Sequence, residues 1–250
     1  MPSSQFSKPV LTSRSKSLGI LSRRPDLSRE YFQRYYETSH APLGMCHYPF
    51  AKYVRNHVQG GIDPGFDTIS EFWQDRQRAD ERFDPVRAGV IMDQDEMKFM
   101  DRSNKRAGPV IEYLLFGPAR SVEPGPVNKL AILLTRSAVM TDDDFLELAT
   151  TFGHQVYADN GATVARAMLD IVRSVPGTGV ASASVPYLTI PHAGILWFWL
   201  EGDRCPESVP EPPPGISVAG SVSMTSHETP PEVLAMAYGS SGDSERQARI

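Results

Sequence analysis

Apolar and polar positions alternate along this chain in two rhythms, one helical and one extended. Phe32, Tyr35, Tyr36, Ser39 and His40 fall at i, i+3, i+4, i+7 and i+8, one face of a helix. Ser28 stands before this run as an N-cap, because its hydroxyl can accept from an unpaired first-turn N–H. Leu27 and Phe32 take the N′ and N4 staple positions, and Pro42 is expected to stop the helix. The same devices return at Met140-Thr141-Asp142-Asp143-Asp144-Phe145: a staple, a cap and acidic residues that suit the helix dipole. Phe145, Leu148, Ala149 and Phe152 form that helix's stripe, and Gly153 is expected to end it. A charged helical segment is expected over Gln77–Met100, interrupted at Pro85.

Strands are expected at Leu18–Ser22, Ala51–Val58, Asp67–Trp73 and Val110–Phe116, then at Lys129–Arg136, Ala162–Val172, Ile190–Leu200 and Ala219–Thr225. The first half reads β-α-β-β-α-β, the split-βαβ order of a ferredoxin-like unit. The second half restarts it, but Cys205–Gly215, with its EPPPG run, replaces the second helix. The expected fold class is α+β, with two ferredoxin-like repeats at 16–117 and 127–238, the second degenerate. A linker at 118–126 joins them, and disordered tails are expected at 1–15 and 239–250. Each split-βαβ sheet leaves one face bare, so the two sheets are expected to pack together as a barrel within one chain.

Composition narrows the classes. The 250 residues carry a formal net charge of −5, which argues against a nucleic-acid partner. No run of about 18 apolar residues occurs, so no membrane span is expected. The two cysteines, Cys46 and Cys205, stand far apart, and the N-terminus lacks a secretory apolar run, so a cytoplasmic protein is expected. There is no GxGxxG, P-loop or GxSxG motif.

Ser17–Gly44 resembles the EthD family of dimeric α+β barrel proteins. The resemblance rests on Arg23-Arg24-Pro25, Tyr35-Tyr36 and His40-Ala41-Pro42-Leu43, with Tyr53-Val54-Arg55-Asn56, Glu71-Phe72-Trp73 and Phe99-Met100-Asp101-Arg102-Ser103 further on. It covers roughly 16–117; the second half is similar only in outline. The resemblance implies a pocket between helices and sheet and small-molecule chemistry of the kind found in polyketide tailoring or aromatic degradation. Related barrels include cofactor-free monooxygenases, isomerases and cyclases.

His40 is the first catalytic candidate, a helix-borne acid/base; the alternative is a structural histidine bonded to a carbonyl. Tyr36, one turn earlier, could orient His40 or donate to a substrate oxygen, or simply fill the core. Tyr53, Arg55 and His57 alternate along one strand and share a face. They are the candidate substrate-binding set, with Arg55 on a carboxylate and His57 as a second acid/base, against a plain surface role. Trp73 is a candidate aromatic wall or core residue. His154 lies nine residues after Phe145, where His40 lies eight after Phe32, so it points elsewhere on its helix. His40, His47 and His57 match no metal-binding spacing, and no metal is expected. His192 reads as a strand-edge polar residue.

The expectation is a cofactor-free lyase, a decarboxylase or dehydratase, acting on a polyketide-like or aromatic small molecule through His40. A cofactor-free cyclase or isomerase is the rival, then an oxygenase, and a non-catalytic carrier of a hydrophobic metabolite is kept. No cofactor is called for. The partner is a small-molecule substrate, with association into a homodimer left open.

Overall fold

The computed structural model describes residues 8–60, 63–75, 79, 83–119, 122–123, 125–161, 163–173, 187–202, 206 and 209–240. Eight strands form one closed antiparallel barrel. They are β1 (Val10–Leu21), β2 (Phe50–Val58), β3 (Thr68–Gln74), β4 (Arg106–Phe116), β5 (Val127–Arg136), β6 (Val164–Val172), β7 (Gly194–Leu200) and β8 (Ile216–Glu228). The order around the barrel is β1-β3-β2-β8-β5-β7-β6-β4. The first four strands thus lie as β4-β1-β3-β2 and the last four as β8-β5-β7-β6, joined antiparallel at β2–β8 and β4–β6. Closure removes the unpaired edges that two open sheets would carry.

Outside the first four strands lie α1 (Arg29–Tyr35), a π-helical turn (Tyr36–His40), α2 (Ala41–His47) and α3 (Pro85–Glu96). Outside the last four lies α4 (Asp142–Asn160), and α5 (Pro231–Ala237) follows β8. The caps are those the sequence announces. Ser28 accepts from Tyr31 N–H, and Thr141 from Asp144 N–H. Asp84 caps α3, which starts at Pro85 rather than being interrupted by it, since a first-turn proline lacks only an N–H that has no partner there. Among the described residues between β7 and β8 there is no helix. None of the described helices is long and apolar enough to cross a membrane.

Three boundaries correct the sequence expectation. β1 starts at Val10, inside the segment read as a tail, because Val10–Ser17 ladders onto β4 and the inward side chain of this polar stretch is Lys16, paired inside the barrel. Residues 1–7 and 241–250 of the expected tails lie outside the described residues. Pro42 does not end the helix: the π turn hands Ala41 N–H to Tyr36 O, and Pro42 sits in the first turn of α2. Gly153 does not end α4 either. It lets the helix approach the sheet, and a Cβ there would stand 2.8 Å from Leu115 Cδ1 and 3.3 Å from Leu196 Cδ2. α5 carries Leu234 into the core under the first half's helices.

Two apolar layers flank the sheet. Leu18, Ile69, Val110, Leu133, Trp197 and Met224 fill the barrel. Outside it, Phe145, Ala149, Phe152 and Val156 of α4 press on β5, β6 and β7. Gly194, the first residue of β7, has no room for a side chain: a Cβ would lie 2.8 Å from Asp170 O and 2.9 Å from the Phe145 ring. Gly194→Ala should therefore lower stability by about 1–3 kcal/mol through overpacking, read as a lower melting temperature; an unchanged one would show that α4 can lift away freely.

An ionic cluster lies among the apolar side chains inside the barrel. Lys16 Nζ is 2.6 Å from Glu71 Oε2 and 2.7 Å from both Glu112 Oε2 and Asp170 Oδ2. Lys129 Nζ reaches Asn56 Oδ1 at 2.9 Å and Glu71 Oε1 at 3.1 Å. Trp197 Nε1–H donates to Asp170 Oδ2 at 2.7 Å. These groups come from the seven strands β1 to β7, so the cluster ties both halves to one register.

Candidate active site

Alternation along β2 and β3 decides what faces the helices. Tyr53 pairs with Phe72 and Arg55 with Ser70, and these side chains point outward, while Asn56, Glu71 and Trp73 point into the barrel. Between this outer face and the π turn, α2 and α3 lies a cavity of about 150 Å³, the volume class that accepts a single aromatic ring. Its walls include Leu21, Phe50, Phe72, Met92 and Tyr187; Tyr36, His40, Tyr53 and Glu96 bring polar groups to it.

The π turn sets Tyr36 and His40 into this space together, with ring centroids 4.8 Å apart. π turns inserted in helices recur at functional sites because they re-aim side chains. His40 is 6% exposed, and its Nδ1 lies 3.0 Å from Asp95 Oδ2. A carboxylate only accepts, so it holds the imidazole proton on Nδ1 and leaves Nε2 for a molecule in the cavity. Asp95 in turn accepts from Tyr35 OH at 2.7 Å and Lys98 Nζ at 3.1 Å. Burial pushes the Asp95 carboxyl up, but its hydrogen bonds from His40, Tyr35 and Lys98 outweigh this and hold it at about 2.

Beside the dyad runs a chain of hydroxyls. Tyr53 OH donates to Tyr36 OH at 3.1 Å, and Tyr36 OH is 2.8 Å from Ser70 Oγ. Burial pushes Tyr36 up to about 12 and Tyr53 well above its ordinary value, so both stay neutral donors.

The other candidates stand elsewhere. Arg55 does not line the cavity. Its Nε and Nη2 fork onto Glu37 at 3.0 and 2.8 Å, and Nη1 bonds Thr229. His57 is held at both nitrogens, by Thr68 Oγ1 at 2.6 Å and Glu37 Oε1 at 2.7 Å. Burial raises the Glu37 carboxyl, yet His57 and Arg55 bring it down to about 2. The shared face of Tyr53, Arg55 and His57 is there, but only Tyr53 reaches the cavity; Glu37 consumes the other two. Trp73 faces the barrel interior, with Lys16 Nζ 4.8 Å from its ring centroid. Its neighbour Phe72 is the aromatic wall, one residue away and on the opposite face. In the second half α4 continues past His154, whose ring lies tilted against Phe116 with centroids 6.3 Å apart. His192 is half-buried before β7. His40, His47 and His57 do not converge, and among the described residues no three His, Cys, Asp or Glu side chains form a metal-binding group.

Asp95 and Glu96 were missed in the sequence. Their signal was available: with Ala88 and Met92 they fall at i, i+4, i+7 and i+8, acidic residues on the buried face of a helix.

No family model matches the chain, and no curated protein does. Solved structures do. An anthrone oxidase-like protein matches at TM-score 0.50 with 8% identity, over 88% of this chain and 95% of its own. A candidate monooxygenase from Fusobacterium nucleatum matches at TM-score 0.44 with 8% identity, over 87% and 94%. A mutant chlorite dismutase from Candidatus Nitrospira defluvii matches at TM-score 0.43 with 10% identity, over 90% and 97%. These neighbours are ferredoxin-like α+β barrel proteins, and the likeness, carried by the anthrone oxidase-like structure, is one of fold alone.

Proposed function

We propose that the protein is a cofactor-free enzyme of the EthD type that moves a proton to or from a small oxygenated molecule, with His40 as the general acid/base. The observation that carries this reading is the His40–Asp95 dyad at the wall of a mostly apolar cavity. A fixed tautomer presents one nitrogen to the substrate, and the dry wall strengthens any charge that develops there. Tyr36, which accepts from Tyr53 and can accept from Ser70, would donate to the oxygen of a ketone while His40 Nε2 takes the proton from the neighbouring carbon; the imidazolium so formed would then return that proton to carbon or give it to a leaving hydroxyl. Lyase chemistry is the preferred class; an isomerase or cyclase would use the same parts. The two four-strand sets, each in the same order, support the reading of a tandem repeat in one chain. In its second member α4 lies close on the sheet at Gly153, where a side chain would meet Leu115 and Leu196.

The test is solvent deuterium. Cyclic ketones and phenols incubated with the protein in deuterium oxide should gain deuterium at carbon, read by mass spectrometry. A carrier would give stoichiometric binding and no exchange.

Asp95 would act as a positioning residue. Asp95→Asn should lower kcat by on the order of 10²-fold with KM nearly unchanged, because the imidazole loses its fixed tautomer. Equal loss in binding and kcat would point to a structural role instead.

A further inference from the structure

We propose that the cavity takes an uncharged, oxygen-bearing molecule of single-ring size, and that Glu96 sets this preference by cancelling the charge of Lys105. The inference rests on the reading of the cavity as a small-molecule site, and it narrows the substrate class.

The described lining residues include no lysine and no arginine; the groups there that can carry charge near neutral pH are His40 and Glu96. Each is already paired with an opposite partner behind the wall. Asp95 backs His40. Lys105, 1% exposed, bonds Glu96 Oε2 and lies 4.3 Å from the centroid of the Tyr187 ring, so two residues of the wall are in contact with one buried ammonium. Arg55, the cation expected to hold a carboxylate, is spent on Glu37 and Thr229. An anion entering this space would lose its hydration and meet no unpaired cation among the described lining residues, a loss that apolar contact does not offset. A neutral ring carrying a hydroxyl or carbonyl would lose little and find Tyr36, Tyr53, Ser17 and Gln74 as polar partners.

Glu96 is the switch in this arrangement. Without its charge, Lys105 would be a buried ammonium directly behind the cavity wall, which is what an anion site requires. The consequence for the reaction is selective. Decarboxylation starts from an ionised acid, which this cavity is built to refuse, whereas dehydration or isomerisation of a neutral phenol or ketone suits it.

The experiment compares p-cresol with 4-hydroxybenzoate by titration calorimetry at pH 7.5. The wild-type protein should bind p-cresol roughly tenfold or more tightly. In Glu96→Gln the anionic probe should gain by about the same factor. The double variant Glu96→Gln/Lys105→Met should return to preferring p-cresol. Equal or tighter binding of 4-hydroxybenzoate by the wild type overturns the proposal even if neither variant folds. Binding of neither probe overturns both the proposal and the small-molecule reading. Selective binding of p-cresol without deuterium exchange on any substrate sinks the enzyme reading alone, whereas His40-dependent exchange without that selectivity sinks only the charge filter.

Discussion

His40→Ala loses product formation by roughly 10²–10⁴-fold, the range expected for removing a positioned acid/base, while p-cresol still binds. The two readouts should separate because Phe72, Phe50 and Met92 give the cavity apolar walls that persist without the imidazole. His40 also packs on Phe99, with ring centroids 5.0 Å apart, so His40→Gln, which keeps more of the volume, is the matched control. Both variants should fold, and both should be inactive. Turnover that survives in either variant would remove His40 from the chemistry and leave the hydroxyl chain as the working part of the site.

The second large effect lies in the barrel. Lys16→Met leaves Glu71, Glu112 and Asp170 buried without the ammonium that all three contact. Breaking a buried ionic cluster on one side costs about 3–5 kcal/mol, a large part of the roughly 5–15 kcal/mol that holds a domain folded. The variant should be poorly soluble or melt far below the wild type. Neutralising two carboxylates as well, in Lys16→Met/Glu112→Gln/Asp170→Asn, should restore much of the loss. A single Lys16→Met variant as stable as the wild type would mean that water reaches the cluster.

The same cluster gives stability an unusual pH dependence. Burial pushes Asp170 up from 3.8 to about 7; Lys16 opposes the shift, and Glu112 and Glu71 add to it. The folded chain therefore keeps a proton that the unfolded chain releases near pH 4. Stability from this group is full below about pH 4 and declines as pH rises towards 7. Glu37 and Asp95, held at about 2, act in the opposite direction: their contribution is present above about pH 4 and fades as pH falls towards 2. Asp170→Asn should remove the decline between pH 4 and 7, seen in urea midpoints across that range. A wild-type midpoint that rises steadily over the same window would contradict the buried proton.

Much of the frame could be read from local chemistry. Ser28, Thr141 and their staples announce two helix starts because capping is a contact within a few residues. The split-βαβ order follows from where apolar runs and turns fall. What could not be read depends on partners distant in sequence. Lys16 stands ahead of the strand expected at Leu18–Ser22, and nothing local marks it as a core residue until Glu112 and Asp170, from other strands, stand around it. Gly153 is a stop signal by propensity and a contact point by packing. Arg55 looks free for a substrate until the π turn delivers Glu37. Trp73 and Phe72 differ by one step of strand alternation, and only the register on β1 and β2 decides which one meets the cavity. His40 is prominent in the sequence, but Asp95, 55 residues away, is what gives it a fixed tautomer.

His40, held by Asp95, should present its free nitrogen to whatever occupies the cavity. Long-range proton–nitrogen NMR correlation of the imidazoles reads this directly, with the His40 signals assigned by their loss in His40→Gln. The expected result is a proton on Nδ1 in the neutral ring and a shift of Nε2 when p-cresol is added, with the His154 and His192 signals unmoved. A neutral His40 carrying its proton on Nε2, or one indifferent to a bound ring, would contradict it.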